Sequence, residues 1–219
     1  VNELLNIEKN TCIENEEYMM NLGKKLMNGG IENVQWIKKN IITENIEQKA
    51  DLVISSYVLN EVKREEKNKI LEKLWNATEK LLLIIEPGTP EGYSQIREMR
   101  EYLLEIGANI VAPCAHEEKC KIEENDWCAF SCRVARTKVH KLLKEGDAPY
   151  EDEKFSYIAV SKIKTEKKAR ILRHPKIENG KITLKLCTED GNIEEKIITK
   201  KQKEIFKIAK KLSCGDILK

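Results

Sequence analysis

Leu81 to Pro90 reads L-L-L-I-I-E-P-G-T-P, five apolar residues in succession, then an acid and a proline–glycine turn. A half-exposed strand would place a polar residue at every second position, so an unbroken run of this length reads as a strand buried on both faces of a parallel sheet. Ala50 to Asn60, A-D-L-V-I-S-S-Y-V-L-N, has the same character. Between them, Glu61 to Lys80 carries Val62, Ile70, Leu71 and Leu74 at helical spacing. After them, Glu91 to Ile106 places Ile96, Met99, Tyr102, Leu103 and Ile106 on one face and stops at Gly107. Strands alternating with helices of this length imply right-handed crossovers and an α/β fold with a parallel sheet.

The same pattern extends outward. Upstream, Asn2 to Asn10 reads as a first strand, Glu14 to Met27 as a helix stopped by Gly29-Gly30, and Asn33 to Lys38 as a second strand. Downstream, Phe155 to Ser161 alternates as a strand that completes the sheet. Lys181 to Thr188 and Glu195 to Lys200 form a hairpin across Glu189–Asn192, and Lys201 to Leu212 is a closing amphipathic helix. The expected organisation is a main domain over residues 1–163 and a small basic hairpin-and-helix module over 164–219. The module is too small to fold robustly alone.

A chain of 219 residues buries one good core. It has no apolar run long enough for a bilayer and no basic-then-apolar leader, so no membrane partner is expected and the location reads as cytoplasmic, in a bacterium. The chain opens on Val1 inside an apolar run, which suggests that an upstream part of the natural product precedes it. Net charge is +2, but residues 161–219 hold 17 Lys and Arg against 8 Asp and Glu. That excess suits a polyanion, or equally a solvated lysine-rich surface.

Ligands of open α/β sheets bind beyond the carboxyl ends of the strands. Glu8, Ser55, Ser56 and Glu86 fall there and are the candidate cofactor-binding residues. Glu8 either accepts ribose hydroxyls or is a solvated turn residue. A glycine-rich loop after the first strand, the usual nucleotide cradle, is not found in the sequence: either that unit was lost or it lies upstream of Val1.

Ala112 to Cys132, A-P-C-A-H-E-E-K-C-K-I-E-E-N-D-W-C-A-F-S-C, gathers four of the seven cysteines on a polar, aperiodic loop. Buried cysteines are normally inert small hydrophobes. Thiols collected on an irregular loop in a reducing compartment instead suit a metal or an iron–sulfur cluster, because the bound group stabilises a loop that has no core. Spacing alone does not separate zinc from iron–sulfur, and Cys132 would complete a wholly local site. Cys12 and Cys214 read as structural. After the loop, Arg133, Arg136 and His140 are spaced as on one helical face, which either meets phosphate or pairs with acids.

Several motifs then occur in a fixed order: E-P-G-T-P-x-G (Glu86–Gly92), A-P-C-x-H-x-x-x-C (Ala112–Cys120), D-W-C-x-F (Asp126–Phe130), R-x-x-R (Arg133–Arg136), E-D-E-K-F-S-Y (Glu151–Tyr157), R-x-x-R-x-P (Arg170–Pro175) and L-C-x-x-x-G (Leu186–Gly191). Together they resemble the methyltransferase-like proteins of the small ribosomal subunit, found in bacteria and mitochondria, and the resemblance spans essentially the whole chain. It implies a class I, S-adenosylmethionine-type Rossmann domain, a role in ribosome assembly and translation, and the small subunit with its 16S-type rRNA as partner of a monomer. It also implies a four-iron, four-sulfur (4Fe–4S) cluster on Cys114, Cys120, Cys128 and Cys187, with Cys132 the alternative fourth ligand and zinc the alternative metal. Arg133, Arg136, Arg170 and Arg173 are the candidate RNA-binding residues. Here Ala129 stands where the family often has histidine, and Ala115 and Lys121 where prolines are usual. No catalytic residue stands out. The expected role is ribosome association, with an active S-adenosylmethionine-dependent rRNA methyltransferase as one alternative and a structural zinc-binding RNA protein as another. S-adenosylmethionine binding is expected of the full-length protein, since the glycine loop is not in this chain.

Overall fold

The structure, a computed structural model, describes residues 5–27, 33–123 and 125–218. The chain divides into two compact units, Val1–Gln48 and Lys49–Lys219. In the first, strand β1 (Asn10–Glu14) pairs in parallel with β2 (Val34–Lys38), and helix α1 (Glu17–Met27) makes the crossover. Gly23 of α1 lies against the Trp36 ring, where an added Cβ would come within 2.3 Å, so the helix seats closely on its strand. The expected first strand, Asn2 to Asn10, is shifted. Asn2–Leu4 lie outside the described residues, and pairing begins at Asn10, where Thr11, Cys12 and Ile13 replace residues poor in strand propensity. Glu8 therefore precedes β1 instead of ending it. The stop expected at Gly29-Gly30 also lies outside the described residues.

The second unit begins with β3 (Ala50–Ser56), a 3-10 turn (Leu59–Glu61), α2 (Arg64–Ala77), β4 (Thr78–Pro87) and α3 (Pro90–Glu105). These follow the sequence reading closely and supply most of the core. Leu59, Ile70, Leu71, Leu82, Ile84 and Leu103 have no solvent exposure. β5 (Asn109–Ala112), β6 (Phe130–Ala135), α4 (Lys138–Leu143) and β7 (Tyr150–Ser161) follow. The sheet order is β3-β4-β7-β5, with β6 also paired to β7.

The fold class is α/β, as expected, and the sheet is mixed. β3 and β4 run parallel, whereas β7 runs antiparallel to β4, β5 and β6. The cause is the connection: β7 is entered from β6 through α4 and a short turn, with no helix long enough to return the chain to the other end of the sheet. The helical face expected for Arg133, Arg136 and His140 does not form. Phe130–Ala135 is a strand in register with Phe155–Tyr150, so Arg133 lies on β6, Arg136 follows it, and His140 is on α4.

The remaining elements are β8 (Arg170–Ile171), β9 (Lys176–Glu178), β10 (Lys181–Cys187), β11 (Ile193–Thr199) and α5 (Lys203–Ala209). The expected hairpin is β10–β11, antiparallel over its whole length. Ile171, Ile182, Leu184, Leu186, Ile198, Phe206 and Ala209 form a small core of its own. Among the described residues, no helix is long and apolar enough to cross a membrane.

Candidate metal centre

The site is built where β4 turns into α3. Thr89 caps the helix, its hydroxyl accepting from Gly92 N–H at 3.0 Å, with Pro90 in the first turn. The two glycines of this turn are fixed by packing. A Cβ on Gly92 would lie 2.0 Å from Pro87 O, and one on Gly88 2.6 Å from the Lys154–Phe155 backbone. At the start of the motif Glu86 is fully buried and accepts from Leu59 N–H at 3.0 Å. Burial raises its pKa, opposed by the N–H groups of Leu59 and Asn60.

From this turn α3 projects Tyr93, Ile96 and Arg100 over a cavity, and Cys114, Cys120, Cys128 and Cys187 all line that cavity. Three of the cysteines come from the loop between β5 and β6. The fourth ends β10, 59 residues beyond Cys128 in sequence. Tyr93, Ala115, Ile122, Leu172 and Cys187 form an apolar cluster with Cys120, Trp127 and Cys128 packed against it. Burial pushes the Cys114 thiol up to about 11, although Arg100 beside it pulls the other way. Cys128 and Cys187 are raised by burial as well. The Tyr93 hydroxyl lies 3.3 Å from Cys120 Sγ; burial and this contact both raise its pKa.

Arg100 is buried, with 3% exposure, and Nη2 donates to His116 O at 3.1 Å and Glu118 O at 2.7 Å. Among the described residues, its Nε and the Nδ1 of buried His116 have no hydrogen-bond partner. A buried cation with an unused donor, beside four thiols and a neutral imidazole, suits a group that carries negative charge. Burial, with Arg100 as the next cause, lowers the pKa of His116. The imidazole also explains a distant motif. Gly191, at φ +81°, would bring a Cβ within 3.4 Å of His116 Nδ1, so the hairpin turn needs glycine both for its backbone and for its neighbour.

The loop is tied down by side chains from every side. Trp127 Nε1 donates to Gly88 O at 3.1 Å, and Ser156 Oγ to Cys128 O at 2.8 Å. Arg170 Nε donates to Pro113 O at 2.9 Å and its Nη1 to Gly215 O at 2.8 Å. Arg173 Nη2 donates to Trp127 O at 2.9 Å and pairs with Asp126, which also accepts from Lys185 Nζ at 2.9 Å. Burial opposes ionisation of Asp126, but Lys185 and Arg173 outweigh it and hold the carboxyl below its usual range.

The four arginines expected at an RNA surface are thus engaged within the chain. Arg133 makes a two-pronged pair with Asp152 at 2.7 and 2.9 Å and stacks on Tyr150, and Arg136 pairs with Glu151 at 3.0 Å. Arg170 and Arg173 brace the cysteine loop. Cys132 is exposed on β6, paired with Glu153, and does not line the cavity. Of the residues expected to touch S-adenosylmethionine, Ser55 is buried, its hydroxyl without a partner among the described residues, Ser56 is exposed, and Glu86 accepts from the backbone. Glu8 belongs to the first unit and is exposed. Sequence reasoning missed Tyr93 and Arg100. Both sit on the inner face of an ordinary amphipathic helix, and only the polarity of Arg100 at a core position could have marked it.

A second donor group, His140, Glu151 and Glu153, has ligand atoms within 4.8 Å of one another. Glu151 there already serves Arg136, His140 and Lys144, the last at 2.7 Å, so a cation would have to compete with two positive side chains for the same carboxylate.

Residues 2–219 match the family model described as mitochondrial small ribosomal subunit Rsm22. The chain is 23% identical to the human mitochondrial ribosome assembly protein METTL17, covering 94% of this chain and 49% of that protein. It is 27% identical to the Rsm22-cox11 tandem protein 2, mitochondrial, of Schizosaccharomyces pombe, covering 76% of this chain and 28% of that protein. The chain thus spans about half or less of the length of these curated relatives. Among solved structures it is similar to a SAM-dependent methyltransferase from Aquifex aeolicus, with TM-score 0.43, 16% identity, and 71% and 69% of the two chains covered. It is likewise similar to the magnesium protoporphyrin IX methyltransferase ChlM of Synechocystis, with TM-score 0.43, 10% identity, and 70% and 63% covered. The bacterial cytoplasmic location expected from the sequence is corrected by these matches, since the family and both curated relatives are mitochondrial. That expectation rested on the lack of a leader and of a bilayer-length run, features that do not distinguish the cytoplasm from an organelle interior.

Proposed function

Since the chain belongs to the mitochondrial small ribosomal subunit Rsm22 family, we propose that it acts as a methyltransferase-like assembly factor on the small ribosomal subunit. In this reading, Cys114, Cys120, Cys128 and Cys187 hold an iron–sulfur cluster. The observation that carries the cluster is the convergence on one cavity of three loop thiols and a hairpin thiol, beside a buried arginine with an unused donor. Among the described residues, no three of these sulfurs lie mutually within 4.8 Å. Tetrahedral zinc, with Zn–S bonds of about 2.3 Å, draws sulfurs to about 3.8 Å. A cluster, whose thiolates bind separate irons, suits the wider set.

A bound cluster would supply a covalent cross-link between the loop and the hairpin module. The protein's own residues do the rest. Arg100 offers a positive charge and a donor, Tyr93 and Ile122 shield the site from water, and Arg170, Arg173 and Ser156 fix the loop carbonyls so that the cysteines point inward. Of the residues expected to bind S-adenosylmethionine, Glu8 belongs to the first unit and Ser55, Ser56 and Glu86 to the second, and no step of this reading runs through that cofactor. The role is assembly by binding. Gradient sedimentation tests it: the full-length protein should travel with the small subunit, and a Cys187→Ser form should shift to the unbound fractions. A wild-type protein that never enters the subunit peak would refute the reading.

A further inference from the structure

Trp127 stands between two clefts of opposite character. On one side Glu98, Glu101 and Glu123 outnumber the single cation Arg97, a lining of net negative charge that would repel a phosphate. On the other is a cleft of about 340 Å³ walled by Trp127, Phe130, Lys154, Arg173 and His174. That volume falls in the range of sites that enclose a small ligand. We propose that this second cleft binds one unpaired RNA nucleotide, base against Trp127 and phosphate toward Lys154 and His174. The proposal rests on the small-subunit reading above for its choice of nucleic acid, and on the cleft itself for its chemistry.

The indole is held by its N–H bond to Gly88 O, so it offers a rigid, half-buried platform that need not be ordered on binding. Such platforms bind single strands with little sequence preference, because every base has a flat face. Phe130 closes the wall from below, packed on Phe155 and Tyr157 at 6.2 and 5.2 Å between ring centres. The charges sort cleanly. Arg173 and Asp126 neutralise each other, with Lys185 as the acid's second partner. Lys154 and His174 are exposed and, among the described residues, neither makes an ion pair or a side-chain hydrogen bond; Asp152 acts electrostatically on His174, which leaves Lys154 as the cation for a phosphate and the imidazole as a hydrogen-bonding neighbour. Ser131 adds a hydroxyl to the wall for a base edge or a ribose. A duplex cannot present a stacked base to such a wall, which selects unpaired RNA.

The test is fluorescence anisotropy of a labelled, unstructured RNA hexamer with the full chain. Lys154→Glu should weaken binding at least fivefold, with the melting temperature unchanged because the residue is exposed. Lys154→Gln should make the log–log salt dependence shallower by about 0.7, the value for one phosphate contact on a single strand. Hexamer binding should quench tryptophan fluorescence, and Trp127→Phe should abolish that quenching. A Lys207→Glu control on α5 should change nothing. The proposal is overturned if the wild type does not bind the hexamer, if Lys154→Glu binds within twofold of it, or if a blunt RNA duplex competes equally. Sedimentation separates the two ideas: a Lys154→Glu protein that still travels with the subunit while losing the hexamer leaves the assembly role standing and the cleft confirmed. Loss of subunit binding by the wild type, with hexamer binding intact, refutes the assembly role alone.

Discussion

Two irregular excursions flank β6, and they are held in opposite ways. The cysteine loop before it, residues 113–129, is bound at its backbone by Arg100, Arg170, Arg173 and Ser156, four side chains from three other parts of the chain. The α4 excursion after it, residues 136–149, leaves Val139, Leu142 and Leu143 at 65%, 79% and 78% exposure and is secured mainly by the cations gathered on Glu151. The cysteine loop also places Ala115 and Ile122 in an apolar cluster with Tyr93 and Leu172, whereas the α4 excursion buries none of its apolar side chains. The difference teaches that an aperiodic segment becomes a site when distant side chains satisfy its carbonyls and turn its reactive groups inward, and remains a surface when they do not.

Substitutions break or sharpen that contrast in graded steps. The largest effect is expected at Cys187→Ser, which should bring bound metal to background and expose the segment 161–170 to limited proteolysis. Cys132→Ser should leave both unchanged. Next, Arg100→Leu strips the buried His116 carbonyl and the part-buried Glu118 carbonyl of their donor, a loss of about 2 kcal/mol. Urea unfolding should show that loss as a lower midpoint without a change of slope.

Asp126→Asn weakens the three-way link of loop, Arg173 and Lys185. These side chains are about a third exposed, so solvent screening limits the loss to about 1 kcal/mol. Its pH dependence has a definite sign. The folded carboxyl lies below its ordinary value, so its stabilisation is complete above the unfolded value of about 4 and fades as pH falls through the folded one. The stability gap between wild type and Asp126→Asn should therefore close on acidification. The smallest effect is expected in the other excursion, where Leu142→Ala should alter stability by no more than about 0.5 kcal/mol.

The α/β core was legible because buried strands and amphipathic helices announce themselves by period. Leu81–Glu86 and Glu91–Ile106 read correctly for that reason. The direction of β7 was not legible, since an alternating strand looks the same whichever way it runs. Arg133 and Arg136 show a second limit: spacing of three and four suggested a helix, yet Phe130 and Val134 pair better as a strand against β7. The arginines illustrate a third. Arg170 and Arg173 brace carbonyls of the cysteine loop, and nothing in their letters says which partners a guanidinium will find. The approach of the four cysteines followed from a family pattern, not from spacing, because Cys187 is brought to the loop by tertiary folding alone. Arg100, the buried charge above them, carried no local signal except its place on an apolar helix face.

The most direct measurement is anaerobic purification of the chain followed by iron, sulfide and zinc analysis with a visible spectrum. About four iron and four sulfide per chain with a broad brown absorbance, both lost in Cys187→Ser, is the expected result. One zinc without sulfide, or a cluster that persists in Cys187→Ser, would contradict a centre that joins the loop to the hairpin through iron and sulfur.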